Sequence, residues 1–406
     1  MELTTDKSES ATLNVEDKRT KRPWKSFKEI RETADNDMIR KMASANYKGI
    51  GGYIKIKIRR MLEQLDSKNI NLDSVRTLCY NGIVEDCRGL RSTVWKLLLY
   101  YFPPNAFQWL NVMESKFEEY DEFKKKYIPG LIPTDISGGR ELLWEDIEKD
   151  IKRTRAEVSF FIEPVDKNKK FDSSQLYELA QLRKTELSLE QQQNYVMTHA
   201  DVLGRILYIY GCRHPDVLYV QGMNELLAVL YYVFAKDCIS GYEKFIESDA
   251  FFAFENLMDE LKDSFNEKMD KKAEGIRAKL KVIEKLIERN RKNIWEVLQE
   301  QNINIDIFAI RWQMLLLSQD FTIPDVIRLW DSLFADAARF NFFSYVCLAL
   351  LVNVEGEILE GEFDTILKSV NTSPNKIEMN ELIKLARELL TKEVEQCKLE
   401  VPIKKK

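Results

Sequence analysis

Glycine and proline are scarce in this chain, and their scarcity bounds its fold more tightly than any other single feature. The 406 residues include 15 Gly and 10 Pro, about 6% together, where roughly 12% is usual. Few turn formers over this length mean few turns and long elements. Sandwiches, barrels and propellers need a turn every ~10 residues, so a mostly helical protein is favoured. Hydrophobic residues make up 45% and charged residues 31%, enough to bury a core and stay soluble. The length suits two or three domains, or one large two-lobed one.

The same composition removes several classes of function. The formal net charge of -5 gives no general pull on nucleic acid. With two histidines, His199 and His214, the chain has no multi-His metal site. The six cysteines form no C-x-x-C pair, so neither a zinc module nor a disulfide framework is expected, and free thiols suit a reducing cytosol. Met1–Asn14 is polar and reads as no signal peptide. Leu226–Ala235 and Phe342–Val352 are the most apolar stretches; both fall short of the ~18 residues of a membrane span and read as buried core helices. Glu2 and the terminal Lys404-Lys405-Lys406 match no lipidation box. There is no P-loop pattern. Gly49-Ile50-Gly51-Gly52 lacks the third glycine of a dinucleotide loop and reads as a hinge or loop. No G-x-S-x-G occurs.

Residues 1–45 are polar and charge-rich, and read as a disordered tail. Their basic cluster, Lys18, Arg19, Lys21, Arg22, Lys25 and Lys28 around Trp24 and Phe27, also suits contact with anionic lipid or a partner, or a nuclear-import patch. Residues 46–79 read as a helical lead-in: Ile54, Ile58, Met61 and Leu65 follow helical spacing, although the Ile54/Ile56/Ile58 alternation also fits a short strand. Asn81-Gly82 is turn-like, and Pro103-Pro104 ends the helix before it. Residues 164–192 read as a polar surface insertion, and 396–406 as a short charged tail. Ile276, Leu280, Ile283, Ile287, Ile294 and Leu298 predict one long amphipathic helix. Further helices are expected at about 306–318, 324–335, 340–352 and 379–397.

Two segments carry candidate chemistry. In Trp144–Arg155, Ile147 and Ile151 lie one turn apart on an apolar stripe, while Asp150 and Arg153 are i, i+3 neighbours on another face. By spacing alone, that pair is an ordinary surface salt bridge. In Tyr219-Val220-Gln221-Gly222-Met223-Asn224, polar residues interrupt an apolar run, where a buried amide is costly unless paired. The plainer reading is a helix-start turn, with Gly222 giving backbone freedom and Asn224 capping.

Taken together, Ile147-x-x-Asp150-x-x-Arg153 and Tyr219-x-Gln221-Gly222-Met223-Asn224 resemble the two signature motifs of the TBC domain, the Rab GTPase-activating module. Gly82-Ile83, Leu90-Arg91 and Trp95-Lys96-x-Leu98-Leu99 resemble its opening, and Ile323–Phe334, with Trp330-Asp331, its late W-D segment. Leu298–Phe343, with Phe308-Ala309-x-Arg311-Trp312, is similar to one vertebrate branch of the family. The resemblance covers about 80–395. In place of the family's opening proline the chain has Val84, Gly82 sits farther from Arg91 than usual, and the Arg153–Gln221 gap carries an insertion.

The resemblance implies an all-α, two-lobed helical fold with a groove for the GTPase. It implies a cytoplasmic protein, peripheral to endomembranes, that regulates vesicle traffic and has no turnover of its own. Arg153 would neutralise charge developing on the partner's phosphates, and Gln221 would orient the attacking water. Asp150 and Ile147 would hold the finger helix. Tyr219, Gly222, Met223 and Asn224 would shape the loop carrying Gln221. Arg91, Trp95, Arg311, Trp330 and Asp331 would be architectural. The chain would bind no cofactor, since Mg²⁺ and GTP sit in the Rab, and Arg155 is a rival for the finger. The alternatives are a Rab-binding scaffold without acceleration and a generic helical adaptor.

Overall fold

The computed structural model describes residues 25–128, 141–166, 196–265 and 275–400. Among them there is no β-strand, apart from an isolated antiparallel bridge between Pro164 and Thr198. The all-α class follows from the shortage of turn formers.

The chain is already ordered well before residue 45. Helices α1 (Phe27–Thr33) and α2 (Asp37–Ala43) bury Ile30, Met38, Ile39, Met42 and Ala43, and Phe27 stacks on Tyr47 with ring centroids 4.3 Å apart. This corrects the expected disordered tail for residues 25–45; residues 1–24 lie outside the described residues. Each helix has seven residues, too few for a periodic stripe to stand out. Caps and burial make up for weak propensity: Ser26 and Glu29 form a reciprocal capping box, and Asn36 accepts from Met38 and Ile39 N–H. Lys18–Arg22 and Trp24 lie outside the described residues. Lys25 reaches the Asp66 carboxylate at 3.5 Å.

Helix α3 (Gly52–Leu65) settles the Ile54/Ile56/Ile58 ambiguity, because Ile58, Met61, Leu62 and Leu65 are buried with helical spacing. Next come α4 (Leu72–Cys79), α5 (Leu90–Leu98), α6 (Trp109–Tyr127) and α7 (Glu141–Ile151). Helices α8 (His199–Arg213), α9 (Met223–Lys236) and α10 (Ile246–Leu261) pack with α6 and α7 into a first group. The body of the 164–192 insertion, from residue 167 on, lies outside the described residues.

The single helix expected over Ile276–Leu298 is two: α11 (Ile276–Asn290) and α12 (Lys292–Glu300). Arg291 breaks them with φ -145° and ψ 66°. Its neighbour Asn290 turns its amide onto the Leu286 carbonyl at 3.1 Å, the local competition that makes Asn a poor helix interior. The apolar stripe survives because Ile294 and Leu298 are buried again beyond the break.

Helices α13 (Asp306–Leu315), α14 (Ile323–Ala335), α15 (Asn341–Asn353), α16 (Glu355–Glu360), α17 (Phe363–Thr372) and α18 (Met379–Glu400) complete the described chain. A second packed group forms around α11, α13, α15 and α18. Helix α14 joins the groups by packing on α4, α5, α9 and α18. At its centre is Asp331, fully buried. Its carboxylate accepts from Ile83 N–H at 2.8 Å, Trp95 Nε1 at 2.8 Å and Arg91 Nε at 3.2 Å. Burial pushes its carboxyl above the usual range against the pull of Arg91, so the group is held by partners rather than by solvation. The neighbouring Trp330 donates to Leu316 O at 3.1 Å, and Arg311 pairs with Asp320 at 2.7 Å.

Candidate functional site

Helix α7 ends at Ile151 and tightens as it ends. Arg153 N–H donates to Asp150 O at 3.1 Å and Thr154 N–H to Ile151 O at 3.2 Å, bonds one residue shorter than the helical ladder. The tightening turns Arg153 outward, leaving its side chain 62% exposed and paired with Asp150. Ile147, on the apolar stripe, is fully buried and fixes the rotation of α7.

The second motif is a turn opening α9. Gly222 has φ +103°, the backbone region that favours glycine, and a Cβ there would also press on the end of the Leu315 side chain at 2.7 Å. Met223 is buried. Asn224 Oδ1 accepts from Gly222 N–H at 3.1 Å. Gln221 is exposed, and the described residues offer its amide no hydrogen bond. The expectation that Gln221 is a costly buried amide is therefore corrected. The αL turn at Gly222 lifts it out of the apolar run, and Asn224 is the amide that is buried.

One buried polar circuit joins the two segments. The Tyr219 hydroxyl lies within hydrogen-bonding distance of Asp150 Oδ2 and of Asn224 Oδ1, the latter at 3.1 Å. Asn224 Nδ2 donates to Thr154 Oγ1 at 2.9 Å, and Thr154 Oγ1 donates to Asp150 O at 2.7 Å. Burial, with Asp150 beside it, holds the Tyr219 phenol well above its ordinary value, so it stays a donor. Asp150 thus faces Arg153 with one oxygen and the Tyr219 loop with the other.

A second link was not legible as such. Arg155, two residues beyond Arg153, adopts φ +47° and is buried. It sits 2.9 Å from Glu225 Oε2 on α9 and donates to Phe321 O at 3.1 Å. Burial raises the Glu225 carboxyl, with Arg155 opposing. By sequence Arg155 is a rival for the finger; its partners make it an anchor of the loop. Thr154 and Glu225 went unnoticed, since each looks ordinary until the loops meet. Beside Arg155 opens a cleft of about 550 Å³, lined also by Glu157, Asp320, Phe321 and Asp325. Arg91, Trp95, Arg311, Trp330 and Asp331 take no part in this circuit.

An all-helical fold carrying these two coupled loops defines a class. A family model described as the Rab-GTPase-TBC domain matches residues 167–359, a stretch that includes Gln221 and starts after Arg153. The human protein TBC1 domain family member 13 is 32% identical over 379 residues, spanning 79% of this chain and 94% of its own length. The chain belongs to the TBC-domain family.

The GTPase-activating protein gyp1 of Schizosaccharomyces pombe is 26% identical over 79% of this chain and 57% of its own length. Among solved structures, the Ypt/Rab-GAP domain of Gyp1p shares the fold with a TM-score of 0.64 at 21% identity. That likeness covers 84% of this chain and 99% of that one.

Proposed function

We propose that this chain accelerates GTP hydrolysis by a Rab-family small GTPase in its GTP-bound form, and so regulates vesicle traffic. The carrying observation is that Arg153 and Gln221 are both exposed, on loops tied together by the Asp150–Tyr219–Asn224–Thr154 circuit. Mg²⁺ and GTP sit in the partner. The planar guanidinium of Arg153 neutralises charge that builds on the transferring phosphoryl group. Arginines supplied in this way contribute ~10³–10⁵ in rate, or about 4–7 kcal/mol of barrier. The Gln221 carboxamide, free of any partner within the described chain, orients the attacking water. Membership of the TBC family supports this reading, as does the activity in the names of gyp1 and the Gyp1p domain.

The chain acts in the cytoplasm, peripheral to endomembranes, with the Lys18–Lys28 stretch as a candidate contact for anionic lipid. Among the described residues no helix is long and apolar enough to cross a membrane. The test is a single-turnover GTP-hydrolysis screen across a Rab panel. Stimulation of at least one member supports the reading; tight binding without acceleration of any member replaces it with a scaffold.

A further inference from the structure

Helix α3 turns an unusual face outward. From Met38 to Leu62 the chain carries seven Lys and Arg and no Asp or Glu, within a protein of net charge -5. Arg40 and Lys41 are committed elsewhere, to Ala34 O at 2.6 Å and to Asp37 at 3.0 Å. Lys48, Lys55 and Lys57 have no ion-pair partner among the described residues. Tyr53, Ile56, Lys57 and Arg60 fall at i, i+3, i+4 and i+7, one face of a helix, opposite the buried Ile58, Met61, Leu62 and Leu65. On that outer face Tyr53 is 70% exposed and Ile56 36%, with Lys57 Nζ 5.0 Å from the centre of the Tyr53 ring. Glu63 on the same helix faces Arg59, Arg60 and Lys25, and Asp66 meets Lys25, Glu29 caps α1 and Glu32 lies 3.9 Å from Lys28; none of these pairs with Lys57, and α3 keeps a positive balance.

Tyr53 and Ile56 stand together on this face, in register with Lys57 and Arg60. We propose that the Tyr53–Arg60 face of α3 docks on an anionic lipid surface. The cations of α3, Lys57 foremost, draw it to the headgroups, and Tyr53 and Ile56 enter the interfacial layer. A folded protein partner fits less well, because two apolar side chains supply far less than the ~800 Å² per side of a stable protein interface. A membrane needs no such area, since each cation near it adds a factor of about five in affinity.

The experiment is flotation of the full chain with vesicles of phosphatidylcholine alone, or with about 30 mol% phosphatidylserine. The wild-type chain is expected to float with the anionic vesicles only, and less so as salt rises. Lys57→Glu with Arg60→Glu should lower apparent affinity at least ~10-fold. Tyr53→Ser with Ile56→Ser should lower it while keeping the salt dependence. Both variants should keep the wild-type melting temperature, so that lost binding is not lost folding. Equal binding to both vesicle types overturns the proposal, as does full affinity in both α3 variants. So does loss of binding on neutralising Lys18, Arg19, Lys21 and Arg22 while the α3 variants still float, which would assign the contact to the basic tail.

Discussion

Arg153 and Arg155 lie two positions apart in opposite surroundings, 62% and 6% exposed at the side chain, and their substitutions should separate accordingly. Arg153→Ala and Arg153→Lys should both abolish stimulation, a loss of ~10³ or more, because lysine cannot supply the planar fork. Thermal unfolding should shift little. Arg155→Ala should instead cost about 3–5 kcal/mol of stability in urea titration, since it strands Glu225 in the interior. A fully folded, inactive Arg155→Ala beside an active Arg153→Ala would move the finger to Arg155. Gln221→Ala leaves an exposed site, so its unfolding midpoint should match wild type while stimulation collapses. A Rab whose own glutamine is changed to alanine should still respond within roughly tenfold, or ~1.4 kcal/mol. Undiminished stimulation by Gln221→Ala would leave Gln221 as a turn residue only.

At the scale of elements, the αL turn before α9 decides whether the two loops meet. Gly222→Ala should strain the backbone by roughly 1–2 kcal/mol and push against Leu315, displacing Gln221 and the start of α9. Lower stability together with lost stimulation is expected from urea unfolding and hydrolysis assays; an unchanged rate would show that the turn tolerates a Cβ. The sequence carried both motifs, their order and most later helices, because long apolar stripes and capped starts are local signals. It hid α1 and α2, each too short to show a period, and the break at Arg291, because heptad spacing across the gap keeps the stripe in phase. It also misplaced Gln221, because an apolar neighbourhood in sequence does not report which way a left-handed turn sends a side chain.

Across the whole molecule, the front of the chain belongs to the core. Deleting residues 1–45 removes Ile30, Met38, Ile39 and Met42 from buried positions, each contributing about 1.5–3 kcal/mol. That deletion should lower the melting temperature sharply or yield insoluble protein. Deleting 1–24 takes away none of these contacts and should leave soluble-Rab stimulation intact. Equal stability of the two truncations would show that α1 and α2 contribute nothing to the core.

The carboxylate of Asp331 also sets a clock for synthesis. Its partner Ile83 leaves the ribosome 248 residues earlier. At ~5–20 residues per second, the indole of Trp95 and the guanidinium of Arg91 wait some tens of seconds for their acceptor. Until then the groups that converge on Asp331 lack their acceptor, and the front half cannot close its polar centre. A message truncated before codon 331 would therefore yield a chain with no completed centre, rather than a shorter working domain.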